Sequence, residues 1–556
     1  MPVPGAPARP PRAWRSAIGA VVTGAVLTAV LTYPTARYVG SVGRFDTGDG
    51  RFSIWNVAWV AHAILDDPRH LFDANIFYPH TSTLTYSELN LFAGAIAAPV
   101  YAATRNPVAA FNSAVLLSLL LSFVAMWALT RRLTGSVAAA YVAATGYTFS
   151  AYTAAHTAHI QLLMIFGFPL IMLAFHRLVE RPTALNGAWL GAALALTALA
   201  SGYYGVFAGG VIGVAVIFWG RWALAYWKAI AVAALVTAAL VLPVLVPYVR
   251  LRAAAGPLRG TTIDELRFYS ATVRDYITTG TIVGEAGLRV AARIKRAARP
   301  ALSLPVAKEV LFPGAVISVL AAMGLIIGLF ARGDRRVVLG YLLIGVLAAW
   351  ASLGPDGTLY LLLMKVLPGS SMLRAPARLG IIVTFALAVL AAFAVRRVSN
   401  GRAWLGPALV AAIVVESWVP WNLQAMPPSP QAYSLLASLP RGGVVEFPFS
   451  YIRTDFHQHT RAMVRSMENW QPLVNGYSDF TPPDFLALAV PINGFPDAES
   501  FRIMRDHGVK YVIVRVSDYG GDARQRLLDR FPPYDRNLRR LTADQDVWLY
   551  EIVAWP

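Results

Sequence analysis

Long uncharged apolar runs, separated by short arginine clusters, constrain this chain more than any other feature. The runs Val115 to Leu129 and Ile230 to Val246 carry no charge. Each approaches the ~20 residues that a helix needs to cross a bilayer. Of the 556 residues, 56% are hydrophobic and only 14% charged, too little charge to wet the surface of a soluble protein of this length. The chain has no cysteine, which excludes a disulfide framework and a thiolate site. Its net charge of +18 does not mark a nucleic-acid binder, because the arginines form no basic stripe with interleaved aromatics.

The arginine clusters orient the runs. Arg9, Arg12 and Arg15 precede the run from Ala17 to Pro34, read as a first transmembrane helix rather than a cleaved leader because many spans follow. The stretch Leu89 to Thr104 is short for a crossing and reads as a helix at the outer interface. Further spans fall near 107–130, 136–154, 159–178, 184–201, 203–220, 228–249, 312–331, 336–353, 377–395 and 403–421. The turns on one side then hold Arg131 and Arg132; His176, Arg177 and Arg181; Arg221 and Lys228; Arg332, Arg335 and Arg336; and Arg396, Arg397 and Arg402. By the positive-inside rule this predicts about eleven spans, with the N-terminus cytoplasmic and the C-terminus outside. The basic loop Arg250 to Phe312 runs against the rule, which long translocated loops tolerate.

The expected fold is mainly α: a polytopic transmembrane bundle over 1–423 with outer loops 36–106 and 250–311, followed by a small extracytoplasmic α/β domain over 424–556. In that tail Gly443–Phe447, Lys510–Arg515 and Val547–Ile552 read as strands, and Phe456–Met467 and Gly521–Phe531 as helices.

The first outer loop carries the sharpest chemical signal. Asp46 and Asp49 lie in Phe45-Asp46-Thr47-Gly48-Asp49-Gly50, and Phe52, Trp55, Trp59 and His62 follow at helical spacing. The spacing predicts a helix lying flat in the membrane interface, anchored by its aromatics. A carboxylate shielded from bulk water there would have a raised pKa and serve as a general base. Equally, the two aspartates fit as caps of the helix.

A span, a long loop opening on an acidic motif and a helix, then the turn Tyr78-Pro79-His80 together resemble the GT-C membrane glycosyltransferases. These include the protein O-mannosyltransferases and the lipid A aminoarabinose transferase. Phe111 to Gly135 looks like the span that follows the interfacial helices in that superfamily. Leu311-Phe312-Pro313-Gly314, Leu373-Arg374-Ala375-Pro376-Ala377-Arg378 and Asn475-Gly476-Tyr477-Ser478 are similar to a large bacterial branch of it. The resemblance implies an inverting transfer of a hexose or pentose from a polyprenyl-phosphate carrier to a glycan, lipid or protein acceptor at the outer face of the bacterial cytoplasmic membrane. By the same resemblance Asp49 matches the catalytic base, with Asp46 in reserve. Two departures stand out. Many relatives have an Asp-Glu pair where Gly50 follows Asp49 here, and the second acidic motif is replaced by Ala154-Ala155-His156-Thr157-Ala158-His159-Ile160-Gln161.

His156 and His159, three apart, are expected to share a helix face and to contact a phosphate or the acceptor. A divalent cation stays open, because two histidines are a weak metal signature. A leaving lipid phosphate needs cations placed in advance. Arg374 and Arg378, four apart and so on one helical face, are the first candidates, followed by Arg252, Arg259 and Arg267; head-group snorkelling is the bland alternative. Glu88 is a further substrate-side candidate, and Glu416 near the last span is costly to bury. Glu446, Asp455, His457, His459 and Asp479 in the tail show no triad or metal spacing, which suits a helper domain. No GxGxxG or P-loop is present, which weakens a nucleotide-driven reading. Two other classes compete: a transporter of a lipid-linked saccharide, disfavoured by the lack of repeated halves, and a non-catalytic envelope assembly protein of the same fold.

Overall fold

A computed structural model describes residues 13–255, 262–277, 309–366, 373–544 and 546–556. Arg259 and most of the second long loop lie outside them. The chain divides into two compact units. One comprises Met1–Arg37, Val115–Pro243 and Arg259–Trp421; the other comprises Tyr38–Ala114, Val244–Leu258 and Asn422–Pro556.

The first unit is built of apolar helices. Among the described residues of the whole chain, six helices are long and apolar enough to cross a membrane: Trp14–Leu31, Pro107–Thr134, Gly202–Trp219, Leu224–Ala254, Arg335–Ser352 and Pro376–Val398. Shorter apolar helices occupy Ala184–Ala200, Ala315–Phe330 and Leu405–Ser417. All eleven expected span positions therefore hold helix, but two are interrupted. The position 136–154 breaks at Phe149 and Ser150 between Val137–Thr148 and Ala151–Ala155, and 159–178 breaks at Met164 between Ile160–Leu163 and Gly167–Glu180. Gly380–Val398 is apolar all round and buried along most of its length, as a central helix must be. Helices Ala315–Phe330, Arg335–Ser352 and Val137–Thr148 pack against it, and Phe385 meets Tyr147, Phe168 and Tyr341 there. The outer helices expose Ile18, Val22, Leu235 and Leu242; lipid tails are as apolar as these side chains, so the exposure costs little in a bilayer.

Polar contacts link several of the arginine-rich turns. Arg132 pairs with Glu180, Arg396 with Asp334, and Arg336 donates to the Phe218 carbonyl at 3.2 Å. At another turn, Glu416 accepts from the Ala315 and Val316 amides, the latter at 3.2 Å. Its carboxylate thus caps the first turn of a neighbouring helix, where exposed N–H groups and the helix dipole favour an anion. That role accounts for an acid beside an apolar span.

The second unit carries two sheets. β1 (Val42–Gly43) pairs antiparallel with β2 (Gln424–Ala425). A four-stranded sheet runs in the order β3-β4-β6-β5, with β3 (Gly443–Phe447) parallel to β4 (Val509–Arg515) and β6 (Val547–Ile552) antiparallel to both β4 and β5 (Leu538–Asp544). Three of these strands match the expected ones within a residue. β5, which reads Leu-Arg-Arg-Leu-Thr-Ala-Asp, gives no clear apolar alternation because it is an edge strand with exposed arginines, a common guard against edge pairing. The expected helix Phe456–Met467 begins as a tight 3₁₀ segment, Arg453–His459, and becomes α-helical only over Thr460–Ser466.

Within this unit the helix Gly48–Asp66 is a core element, not a surface anchor. Trp55 is 1% exposed and Trp59 6%. Their indole N–H groups donate to Asn75 at 3.1 Å and to the Leu71 carbonyl at 2.9 Å, and His62 stacks on Trp470 at 4.7 Å. Indoles that find such partners in the protein gain more by burial than by lying at an interface. The helix Leu91–Thr104 packs on it at Gly94, where any side chain would strike Val60. The tail segment that begins at Leu473 is woven into the first loop: Tyr78 N–H donates to the Leu473 carbonyl at 2.9 Å, Leu473 N–H to Asn75 at 2.7 Å, and Ser87 to Asp479 at 2.7 Å.

Candidate active site

Thr47, not either aspartate, is the N-cap of the helix Gly48–Asp66; its hydroxyl accepts from the Gly50 amide at 3.1 Å. Thr is a good cap, and its presence releases both carboxylates from that duty. Asp46 is held in a fork by Arg44, at 2.9 and 3.1 Å, and also accepts from Asn422 at 3.4 Å. A bidentate guanidinium pair of this kind is geometrically specific and favours the carboxylate charge. Asp49, in the first turn, is exposed and accepts from the Tyr477 hydroxyl at 3.2 Å. Tyr477 belongs to the Asn475-Gly476-Tyr477-Ser478 run, which sequence reasoning noted without assigning it a role.

Gly50 has a local cause. A Cβ there would lie 2.1 Å from the Arg44 carbonyl oxygen, so an acid cannot occupy the position with this loop conformation. Next to it Arg51 is buried and donates to the Phe45 carbonyl at 2.5 Å and to Thr460 at 2.8 Å. These bonds pin the acidic turn from its buried side. Glu88 lies in the same unit beside Tyr248, whose hydroxyl donates to the Ser87 carbonyl at 2.9 Å, and its own carbonyl accepts from Asn56 at 3.2 Å. Arg252 is exposed in the last turn of the long helix Leu224–Ala255.

In the other unit Arg374 and Arg378 do not share a helix face. Leu373–Ala375 is not helical, and Arg378 sits in a 3₁₀ turn, Pro376–Leu379; Pro376, which cannot supply a helical N–H, ends any α-helical reading between them. The guanidinium of Arg378 lies over the Tyr203 ring at 4.2 Å and that of Arg374 over Tyr269 at 5.7 Å. The Arg374 backbone N–H donates to the Tyr203 hydroxyl at 3.2 Å. His156 and His159 lie on a turn, not on one helix face: His156 is the residue after Ala151–Ala155, and His159 precedes Ile160–Leu163. The His156 ring stacks on Tyr152 at 4.1 Å, and its Nδ1 bonds the Tyr152 carbonyl at 2.7 Å. Arg378 is within electrostatic range of His156 and of Tyr152. The structure therefore gathers Arg374, Arg378 and His156 through a tyrosine cluster that the sequence reading did not single out. Arg267 is paired with Asp356 at 3.1 Å and Asp264 at 3.3 Å. Among the described residues no group of three or more His, Asp or Glu side chains is placed to hold a metal ion.

These features define a multi-pass membrane protein whose helical unit gathers stacked arginines and whose second unit presents an ordered carboxylate. In its backbone the chain is similar to the Archaeoglobus fulgidus oligosaccharyltransferase in the apo form, at 13% identity, covering 94% of this chain and 73% of that one with a TM-score of 0.49. It is similar also to ArnT from Cupriavidus metallidurans, in the apo state (13% identity, 96% and 98% covered, TM-score 0.42) and bound to undecaprenyl phosphate (13%, 98% and 99%, TM-score 0.41). No family model and no curated protein sequence matches the chain. Identities and TM-scores this low leave the chemistry to be read from this chain's own residues.

Proposed function

We propose that this protein is an inverting membrane glycosyltransferase that moves a sugar from a polyprenyl-phosphate carrier to an acceptor at the outer face of the cytoplasmic membrane. Asp49 is the general base. It takes the proton of the acceptor hydroxyl as that oxygen attacks the anomeric carbon. The bond from that carbon to the carrier phosphate breaks, and the polyprenyl phosphate leaves with the electron pair. Arg374 and Arg378, with His156 and His159 near them, are assigned to the phosphate, whose growing charge needs preorganised donors. Glu88, Arg252 and Arg267 are further substrate-binding candidates; Arg267 pairs with two carboxylates. About eleven spans, with the basic turns cytoplasmic and the C-terminal segment outside, complete the reading.

One observation carries it. Of the two loop aspartates, Asp46 is held in the Arg44 fork, whereas Asp49 is exposed on a Thr47-capped turn and accepts from the Tyr477 hydroxyl. The N-cap bond of this helix is made by Thr47. The test is transfer from radiolabelled polyprenyl-phosphate sugars by purified wild type, Asp49→Asn and Asp46→Asn. Loss of transfer in a folded Asp49→Asn protein is expected; full activity in that variant would defeat the assignment.

A further inference from the structure

The second unit holds a cavity of about 380 Å³ between the sheet and the 3₁₀ segment Arg453–His459. Its lining includes Glu446, Asp518, Arg515, Arg461, Gln458 and His459, none of which takes part in the chemistry assigned above. Glu446, at the core of β3, pairs with Arg515 at 3.1 Å, and Arg515 pairs in turn with Asp518 at 2.6 Å. His459 is neutral at physiological pH, because burial pushes it down to about 4. Its ring is fully engaged: Nε2 donates to the Ser450 carbonyl at 3.0 Å, and Nδ1 accepts from Asn475 at 3.2 Å.

Two guanidinium groups and two carboxylates thus face one space, and they cancel. A strongly anionic ligand such as a phosphate gains nothing there. The wall is polar, so a lipid tail or an apolar compound would leave its polar groups without partners. What remains is a neutral ligand that both donates and accepts. Gln458 closes one side: its Nε2 donates to His457 at 2.8 Å, since Nδ1 of that ring bonds the Thr454 carbonyl, and its Oε1 is buried. Arg461 supplies donors beside it. A sugar hydroxyl is one donor and two acceptors at once, so adjacent hydroxyls of one ring can meet a carboxylate and the Arg461 guanidinium together.

We infer that this cavity is a binding site for a neutral saccharide residue, with Arg461 and the Glu446–Arg515–Asp518 chain as its recognition groups. The cavity adjoins the acidic turn within the same unit, since Arg51 lies within electrostatic range of both Arg461 and Arg515. Binding does not depend on the transferase reading and holds for a carrier or assembly protein equally.

The test uses the full chain in lipid nanodiscs, free of glycoside detergents whose head groups would compete. Saturation-transfer NMR is recorded with glucose, galactose, mannose and arabinose as probes, and with inorganic phosphate as the contrast. At least one sugar is expected to bind with a dissociation constant on the order of 1 mM. Arg461→Ala and Asp518→Asn should each weaken it roughly tenfold, the effect of one lost hydrogen bond to a charged group, in protein that its melting curve shows to be folded. Asp49→Asn should bind as wild type, so loss of transfer and loss of sugar binding are separable results. Binding of none of the four sugars, binding unchanged in both cavity variants, or preferential binding of phosphate would each overturn the inference.

Discussion

The acidic turn and the arginine segment are held by different physics. Asp49 stands on a capped helix whose buried side is bolted by Arg51 and whose carboxylate accepts from the Tyr477 hydroxyl. These restraints are directional hydrogen bonds, so the position of a single atom matters. Arg374 and Arg378 sit in a short irregular segment and rest on the faces of Tyr269 and Tyr203. Stacking fixes a plane but tolerates sliding. A frame of the first kind suits a proton acceptor that must meet one hydroxyl. The second suits a clamp on a phosphate that moves as it leaves.

The largest expected effect tests the first frame. Asp49→Asn keeps the shape but removes the proton acceptor, and transfer should fall roughly 10²–10⁴-fold, the range for lost general-base catalysis. Thermal stability should stay put, because Thr47 supplies the cap. Asp46→Asn should show the reverse: nearly normal transfer in the molecules that fold, and a lower Tm from the weakened Arg44 fork. A comparable activity loss in both would erase the distinction between the two carboxylates.

The hydrogen-bonded frame should also have an acid limb. His459, ringed by Phe449, Phe456 and Phe485, has its pKa lowered from 6.5 to about 4. The unfolded chain therefore binds this proton first as pH falls. Stability is complete above about pH 6.5 and is lost between there and about pH 4, by at most about 3 kcal/mol at ~1.4 kcal/mol per pH unit. Glu446 works the other way, since burial raises its carboxyl and the folded state takes its proton first. Melting curves of full-length wild type and His459→Gln across this range should converge at low pH. Parallel curves would assign the acid limb elsewhere.

Against the stacked frame, Arg378→Ala should raise the KM for the lipid-linked donor by roughly 10–50-fold, the worth of one charge-assisted contact. Lysine should restore only part of this, because an ammonium has neither the fork nor the flat face. Donor kinetics unchanged in both Arg378→Ala and Arg374→Ala would return these residues to lipid anchoring. The smallest effect belongs to Tyr477→Phe, which removes one neutral hydroxyl from Asp49. Transfer should fall about threefold to tenfold, matching ~1 kcal/mol, with KM for the donor unmoved. A loss as large as that of Asp49→Asn would make the tyrosine more than an orienting group.

By itself the sequence determined the membrane-protein class, the places of the apolar helices and three strands of the four-stranded sheet. Those follow from local apolar runs and alternation, which a window of residues contains. It also singled out Asp46 and Asp49. Tertiary structure decided the rest. The aromatic spacing of Phe52, Trp55, Trp59 and His62 is the same for a helix on a membrane and a helix in a core; only the arrival of Asn75 and Trp470 chose the core. Likewise Arg374 and Arg378 keep a helical spacing that Pro376 and two tyrosines override. Whether an aspartate is a cap, an ion-pair partner or an exposed base depends on Thr47, Arg44 and Tyr477. The last of these lies 428 residues along the chain from Asp49, beyond the reach of any local pattern.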